Sequence, residues 1–195
     1  MPTRFNREDV LKLVLVLESA LLLVATVWAL IAQIDVLTFL KDLNMGTVAA
    51  GLFLGVCTSS LSFALTVLTN RLSQSLPSIP SFQQFIRDKL YPIFAEVTPL
   101  DILLIAVASG FCEEVFFRGV LQQQFGLLIA SVIFGLFHFV GRKFLIYMIW
   151  AGAAGLVLGI GFEFSHSLWV PILAHFANNL LSITLVRYRI GMRDL

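Results

Sequence analysis

Three short motifs in the second half of the chain place groups capable of acid–base chemistry inside otherwise apolar segments. One contains two adjacent glutamates and an arginine, and each of the other two contains a histidine. Because an unpaired charge in apolar surroundings costs free energy, such groups indicate a function. A carboxylate can activate water, and imidazole or amide donors can stabilise an oxyanion. The residues are, in chain order, Glu113, Glu114, Arg118, Phe134, His138, His175 and Asn179.

The two adjacent glutamates are expected to have different tasks. Glu114 and Arg118 are four residues apart with the glutamate first, which is the favourable order for an ion pair on one helix face. Glu113 points about 100° away and has no cation partner on its own helix. We therefore predict that Glu114 is structural and that Glu113 is a general base or acid. The alternative is a buried ion-pair network that contains both carboxylates.

The two histidine motifs are weak signals individually and a strong signal together. Phe134 and His138 are four residues apart, as are His175 and Asn179, so each pair shares one helix face. Asn179 can fix the imidazole or donate with it to a developing oxyanion. Together with Glu113, these residues come from three segments that can pack around one polar centre. The set predicts a hydrolase.

The composition indicates that these motifs lie in a membrane protein. Of the 195 residues, 58% are hydrophobic and 13% are charged, whereas soluble domains have about 25% charged residues. The net charge of +1 and the lack of a basic face argue against nucleic-acid binding. Cys57 and Cys112 are too few for a disulfide scaffold. We expect Cys112 to be a structural thiol, and we assign no role to Glu18 in the first apolar stretch.

The predicted fold is all-α, a single polytopic membrane helical bundle spanning 1–195. Six apolar stretches approach the ~20 residues that a helix needs to cross ~30 Å of hydrocarbon. The fourth has only about 15 residues and is predicted to be a buried span. The stretches are 10–32, 46–69, 100–122, 126–140, 144–162 and 168–186.

The distribution of basic residues predicts that both termini face the cytoplasm. If all six stretches cross, eleven of the 13 Lys and Arg residues lie on the inside, as the positive-inside rule requires. Only Lys41 and Arg118 remain for the other side. The inside residues are Arg4, Arg7, Lys12, Arg71, Arg87, Lys89, Arg142, Lys143, Arg187, Arg189 and Arg193.

The chain divides into three predicted parts. Residues 10–69 form two N-terminal spans, and residues 100–186 form a four-helix core that carries every motif. A polar linker at 73–81 leads to residues 82–97, where apolar side chains recur every three or four positions. This pattern predicts an amphipathic helix in the cytoplasmic interface, with an ordinary polar loop as the alternative.

The ordered motifs resemble the CPBP family, the CAAX-protease and bacteriocin-processing (ABI) group of intramembrane endopeptidases. EExxxR begins at Glu113, FxxxH at Phe134 and HxxxN at His175, and every motif position is filled. The resemblance covers about 100–186, somewhat under half of the chain. The first two spans carry no matching motif.

The resemblance implies a glutamate-dependent peptidase acting on a membrane-associated protein or peptide. Glu113 would activate water that His138 helps to hold, and His175 and Asn179 would form the oxyanion site. The resemblance further implies that Glu114, Arg118 and Phe134 support these groups from behind. The eukaryotic branch cleaves prenylated CAAX proteins, but the short six-span form suggests a bacterial plasma-membrane protein, for which prenyl recognition is not expected.

Three alternatives remain open at the level of sequence. Glu113, His138 and His175 can hold Zn²⁺, although HExxH is absent and no aspartate or second free carboxylate backs the histidines in these spans, so we favour a site without a cofactor. A non-proteolytic scaffold or binding protein can keep the site as a relic. A transporter can relay protons through intramembrane Glu and His, but no inverted repeat is visible.

Helix lengths expose a conflict in the predicted site. Glu113 lies ~18 Å along its helix from Asp101 at the cytoplasmic end, whereas His138 lies only ~6 Å from Arg142. For the two to meet, either the third segment begins outside the hydrocarbon, or the fourth is tilted or begins deep inside the membrane.

Overall fold

The protein is described by a computed structural model that covers residues 5–75 and 82–188. Within these ranges the chain is all-α, as predicted, with no β-strand. Arg4, Arg189 and Arg193, which contribute to the predicted orientation, lie outside the described residues, as do positions 76–81 of the predicted linker.

Seven helices make up the bundle, counted over the described residues. Helix α3 consists of Phe82–Phe85, a π-helical turn Ile86–Leu90 and Tyr91–Phe94, and α4 consists of Pro99–Phe116, a π-helical turn Phe117–Leu121 and Gln122–Phe125. Two 3₁₀ turns, Val36–Leu40 and Arg142–Phe144, lie in the connections. The other helices are α1 (Arg7–Ala32), α2 (Met45–Ser75), α5 (Leu127–Phe137), α6 (Leu145–Ser165) and α7 (Trp169–Tyr188).

Helices α1, α2, α6 and α7 are long and apolar enough to cross a membrane, and the protein is an integral membrane protein. Helix α4 is as long but carries several charged side chains. Helix α5 has 11 residues and therefore rises only ~16 Å, about half of the hydrocarbon thickness. The fourth predicted stretch, 126–140, is thus a half-length helix rather than a full crossing.

Helix α4 is the centre of the bundle and its boundaries follow from local sequence. Thr98 and Asp101 form a reciprocal capping box at its start, with Pro99 in the first turn, where proline needs no N–H partner. Gly126 ends the helix with φ of +83°, a conformation that glycine adopts without strain. The chain can then reverse directly into α5.

Helix α1 runs parallel to α4 and is fixed to it at both ends. Near the start, the guanidinium of Arg7 donates two hydrogen bonds to the carboxylate of Asp101, one of them 2.8 Å long. Near the other end, the rings of Trp28 and Phe116 meet edge to face at 6.3 Å. The two contacts set the register of α1 along the central helix.

Helix α3 closes one end of the bundle. Its apolar side is buried against protein, with Phe85 fully buried and its ring stacked on Tyr147 of α6 at 4.1 Å. The predicted amphipathic segment is therefore helical over 82–94, but its apolar side packs on α6 and its neighbours instead of facing lipid. Arg87 is half exposed.

Helix α2 packs closely on α7 because Gly55 of α2 faces α7. A Cβ atom built on Gly55 would lie 2.6 Å from both the Ala174 carbonyl oxygen and the Ala177 Cβ atom. Real contacts of this kind are essentially never so short. The absence of a side chain at Gly55 is what allows α7 to reach its position beside α4.

We expect Gly55→Ala to destabilise the protein by roughly 1–3 kcal/mol, because the backbone of α7 must move to admit the methyl group. Thermal unfolding of the detergent-solubilised protein measures the effect. Gly152→Ala is the matched control, since its Cβ would meet its nearest neighbour at an ordinary 3.5 Å. Equal unfolding temperatures for the two variants would contradict this packing.

Candidate active site

The site lies where α4, α5 and α7 meet, and the structure brings all seven motif residues to this region. The Glu113 Oε2 and His138 Nε2 atoms are 4.0 Å apart. The carboxylate of Glu114 lies 2.7 Å from His175 Nδ1. The side chain of Asn179 contacts Ser109 on the same turns of α4.

The depth of α5 resolves the conflict in helix lengths. Arg118 and Gln122 of α4 donate to the carbonyl oxygens of Gly155 and Gly159 on α6, each pair 37 positions apart. Helices α4 and α6 therefore run side by side with residues 37 positions apart at the same height. In this alignment Leu145, the first residue of α6, lies level with position 108 of α4, which is about 10 Å along the helix from Asp101. The α5–α6 connection therefore lies deep in the bundle, and α3 fills the space below it.

A buried Arg118–Glu114–His175 chain forms the structural core of the site. Arg118 Nη1 donates to Glu114 Oε1 at 2.8 Å, and the same oxygen accepts from His175 Nδ1 at 2.7 Å. The Arg118 and Glu114 side chains are 1% and 0% exposed. Each buried charge needs such a partner, because desolvation otherwise costs several kcal/mol. The imidazole is thus held by Glu114, a contact that the sequence did not predict.

Phe134 supports both charged groups through its ring. It lies 4.6 Å from the Arg118 guanidinium and at the same centroid distance from the His138 ring. Its carbonyl oxygen lies 2.8 Å from His138 Nδ1. Because a carbonyl can only accept, His138 Nδ1 is the donor, and Nε2 faces Glu113 as an acceptor in the neutral ring. The carbonyl oxygen and the ring of Phe134 therefore both orient His138.

The gap between Glu113 and His138 suits a water molecule. At 4.0 Å between Oε2 and Nε2, the pair is too far apart for a direct hydrogen bond. A single water can donate one proton to each atom and so bridge them. Glu113 also lacks a cation partner, because no Arg or Lys within the described residues pairs with it, whereas Glu114 pairs with Arg118.

Asn179 is anchored by two neighbours, Ser109 on α4 and Asn178 on its own helix. Its Nδ2 donates to Ser109 Oγ at 2.8 Å, and its Oδ1 accepts from Asn178 at 3.4 Å. The second N–H of the amide remains free to donate. Ser109 lies four residues before Glu113, so the same helical spacing that relates Glu114 to Arg118 could have identified it. Asn178 in turn accepts from Ser59 of α2 at 3.2 Å.

A cavity of about 80 Å³ adjoins the two histidines and Asn179. One wall is α6, whose contribution the motifs did not reveal, and α2 closes another side through Thr58. The lining residues are Thr58, Phe134, His138, Tyr147, Trp150, Ala151, Ala154, Leu158, His175, Asn178 and Asn179.

Metal ligation and two further titratable side chains, Cys112 and Glu18, complete the chemistry near the site. Within 5–75 and 82–188, no group of three or more His, Cys, Asp or Glu side chains is placed to hold a metal ion. Contrary to the expectation from the sequence, a carboxylate does back one of the histidines, since Glu114 accepts from His175 Nδ1. Cys112 is a buried free thiol. Glu18 has one buried carboxylate oxygen without a hydrogen-bond partner in the described part of the chain.

Comparison with known proteins supports the resemblance over the region that contains the site. Residues 95–181 match the family described as type II CAAX prenyl endopeptidase Rce1-like. The uncharacterized protein YpbD of Bacillus subtilis (strain 168) is 33% identical over 102 residues, which cover 52% of this chain and 54% of that protein. The match thus spans about half the length of this curated relative. No solved structure matches the chain.

Proposed function

We propose that this integral membrane protein, whose residues 95–181 match the Rce1-like family, is an intramembrane endopeptidase that hydrolyses a peptide bond of a membrane-associated protein or peptide. The observation that carries the proposal is the contrast between two adjacent carboxylates. Glu114 is fully buried in a chain with Arg118 and His175. Glu113 faces His138 across a gap suited to one water.

In the first step Glu113 acts as general base. Its carboxylate accepts one proton of the water while His138 Nε2 accepts a hydrogen bond from the other O–H, so the oxygen lone pair is directed to the scissile carbonyl. The new C–O bond converts the carbonyl to a tetrahedral oxyanion. Holding water and base together in this geometry removes much of the entropic barrier.

The oxyanion requires donors that are already in place. His175 Nδ1–H is committed to Glu114, so in the doubly protonated ring Nε2–H can donate to the oxyanion. The free N–H of Asn179 supplies a second donor beside the cavity. Loss of one such donor typically costs 10²–10³-fold in rate, roughly 2.7–4 kcal/mol.

Collapse of the oxyanion breaks the C–N bond. Glu113, now protonated, gives its proton to the leaving amine, so the same group acts first as base and then as acid. The products are a carboxylic acid and an amine, and the carboxylate at Glu113 is restored. The new acid then passes its proton to the amine, which leaves a carboxylate and an ammonium group. Arg118 and Phe134 keep Glu114, His175 and His138 oriented throughout.

The function is tested by comparing peptide termini in membranes of cells that carry wild type or Glu113→Ala. The proposal expects bonds that are cut in wild type and intact in the variant, with equal amounts of both proteins in the membrane. Identical sets of termini would instead favour the non-proteolytic scaffold, because a scaffold does not need the base.

We expect the reaction to need no metal, because Glu113, His138 and His175 are not placed as a metal-binding group in the described part of the chain, and the Glu113 carboxylate can activate a water beside His138 by itself. Metal analysis of the purified protein should find zinc well below one ion per chain, and a chelator should leave cleavage unchanged. Stoichiometric zinc, with activity lost to chelator and restored by metal, would overturn this expectation.

We also infer an orientation with both termini in the cytoplasm. Most basic side chains of the described residues lie at the end of the bundle closed by α3, where Arg187 donates to the Val97 carbonyl oxygen, whereas Lys41 lies at the opposite end. A terminal tag should therefore resist external protease in intact spheroplasts. Digestion of the tag from outside would reverse the orientation.

A further inference from the structure

The residues of α6 that line the cavity have no role in the proposed reaction, yet they are regularly spaced along one face of the helix. Tyr147, Ala151, Ala154 and Leu158 are spaced three or four residues apart, and with Trp150 they line the cavity from one helix face. His175 and Asn179 of α7 line the same cavity. A group bound between these walls would lie against the donors expected to hold the oxyanion.

Two polar groups on this wall have no partner. The hydroxyl of Tyr147 and the indole N–H of Trp150 form no hydrogen bond with any part of the chain that the structure describes. Both side chains are partly buried, and their polar atoms are not enclosed by the surrounding protein. The two donors therefore remain able to bond acceptors on a molecule in the cavity.

Tyr147 is rigidly held in this position. Its ring stacks on Phe85 of α3 at 4.1 Å, and the His138 ring lies 5.9 Å from it. A donor fixed by aromatic packing loses little freedom when it binds, which favours affinity. Helix α3 therefore contributes to the site, because its Phe85 sets the orientation of Tyr147.

The spacing of the two donors fits an extended peptide. Side chains three positions apart on a helix lie about 5–6 Å apart at Cβ. Alternate carbonyl groups of an extended chain point the same way and repeat at about 6.6 Å. One strand of substrate can therefore offer one carbonyl oxygen to Tyr147 and the next equivalent one to Trp150.

The size of the cavity limits what accompanies the peptide backbone. A cavity of about 150 Å³ is known to bind benzene, and this one measures about 80 Å³. Ala151 and Ala154 form the wall where a side chain beside the scissile bond would lie. An aromatic side chain does not fit there, whereas that of glycine, alanine or serine does.

We propose that the α6 face formed by Tyr147, Trp150, Ala151 and Ala154 recognises the substrate next to the scissile bond. Tyr147 and Trp150 donate to main-chain carbonyl oxygens, and the two alanines select a small residue on one side of the bond. The substrate class is a membrane-associated peptide with an extended segment that contains glycine, alanine or serine. This inference rests on the proposed endopeptidase function.

Binding to a cleavage-deficient protein tests recognition separately from catalysis. Glu113→Gln protein in phosphatidylcholine–phosphatidylglycerol vesicles is mixed with a library of palmitoylated peptides that contain one randomised stretch, and bound peptides are sequenced. We expect enrichment of small residues at one position and loss of aromatic residues there. Ala154→Leu in the same background should abolish this enrichment by filling the cavity. Ala153→Leu is the matched control, because Ala153 lies on the other side of α6, beside Leu128 and Val132.

Tyr147→Phe distinguishes substrate binding by the hydroxyl from the packing of the ring. It keeps the ring against Phe85 and removes only the hydroxyl, so we expect binding to weaken about fivefold with an unchanged unfolding temperature. In the protein with Glu113 intact, KM should rise and kcat should change little. Tyr188→Phe, at an exposed position, should alter neither.

Two results would overturn the recognition proposal. One is bound peptides with no preference for small residues, and the other is Tyr147→Phe binding as tightly as its parent. Selective binding without cleavage by the protein with Glu113 intact would leave recognition standing and contradict the endopeptidase function instead.

Discussion

Glu113→Gln is expected to lower the rate of peptide hydrolysis by about 10²–10⁴-fold while the bundle stays folded. The amide has the size of the carboxylate but cannot accept the proton of the attacking water. Glu113 is 16% exposed at its side chain and faces His138 rather than a cation, so the substitution breaks no ion pair with Arg or Lys. Initial rates with the palmitoylated peptide library in vesicles measure the effect.

Glu96→Gln is the matched control for this variant. Glu96 is exposed, follows α3 and lies outside the site, so the same change of carboxylate to amide should leave the rate unaltered. Unfolding temperatures of both variants should equal that of wild type. A Glu113→Gln protein that cleaves at the wild-type rate would remove the general base from the proposed reaction.

Arg118→Leu is expected to have the largest effect on stability. It leaves the Glu114 carboxylate fully buried without the cation that compensates it, and breaking a buried pair in this way typically costs 3–5 kcal/mol. The variant also loses the hydrogen bond to the Gly155 carbonyl oxygen. Thermal unfolding in detergent and the yield of folded protein measure the loss, which approaches the whole stability of many domains.

Arg87→Leu is the control, since Arg87 is 50% exposed and pairs with Asp88 at the surface. An exposed pair contributes about 0–1 kcal/mol, so this variant should unfold near the wild-type temperature. The double variant Arg118→Leu/Glu114→Leu should recover much of the lost stability, because no buried charge remains. Its activity should stay low, since His175 has lost its anchor. An Arg118→Leu protein as stable as Arg87→Leu would contradict the buried chain.

Much of the fold, and the pairing of candidate site residues within one helix, follow from local sequence. Apolar runs long enough to cross a bilayer predict α1, α2, α6 and α7, and the capping signal at Thr98 marks the start of α4. The Glu114–Arg118 pair forms at 2.8 Å because positions four apart on a helix are neighbours. Relations within one helix are fixed by helical geometry alone and can be predicted without tertiary structure.

Relations between helices could not be predicted in the same way. The hydrogen bond from His175 to Glu114 joins positions 61 apart, and the one from Asn179 to Ser109 joins positions 70 apart. Helical periodicity gives the direction of a side chain but not the depth of its helix in the bundle. The half-length α5 and the packing of α3 under Tyr147 depend on that depth, so the α6 wall of the cavity emerged only from the structure.

Cleavage in H₂¹⁸O by purified protein tests whether Glu113 activates the water that attacks the peptide bond. Wild type in vesicles is incubated with the palmitoylated peptide library, and the new carboxyl termini are analysed by mass spectrometry beside those from Glu113→Gln. We predict that wild-type products carry one ¹⁸O at the new carboxylate and that Glu113→Gln forms almost no product. Equal amounts of the same products from both proteins, or no cleavage of any library peptide by wild type, would contradict a water-dependent peptidase built on Glu113.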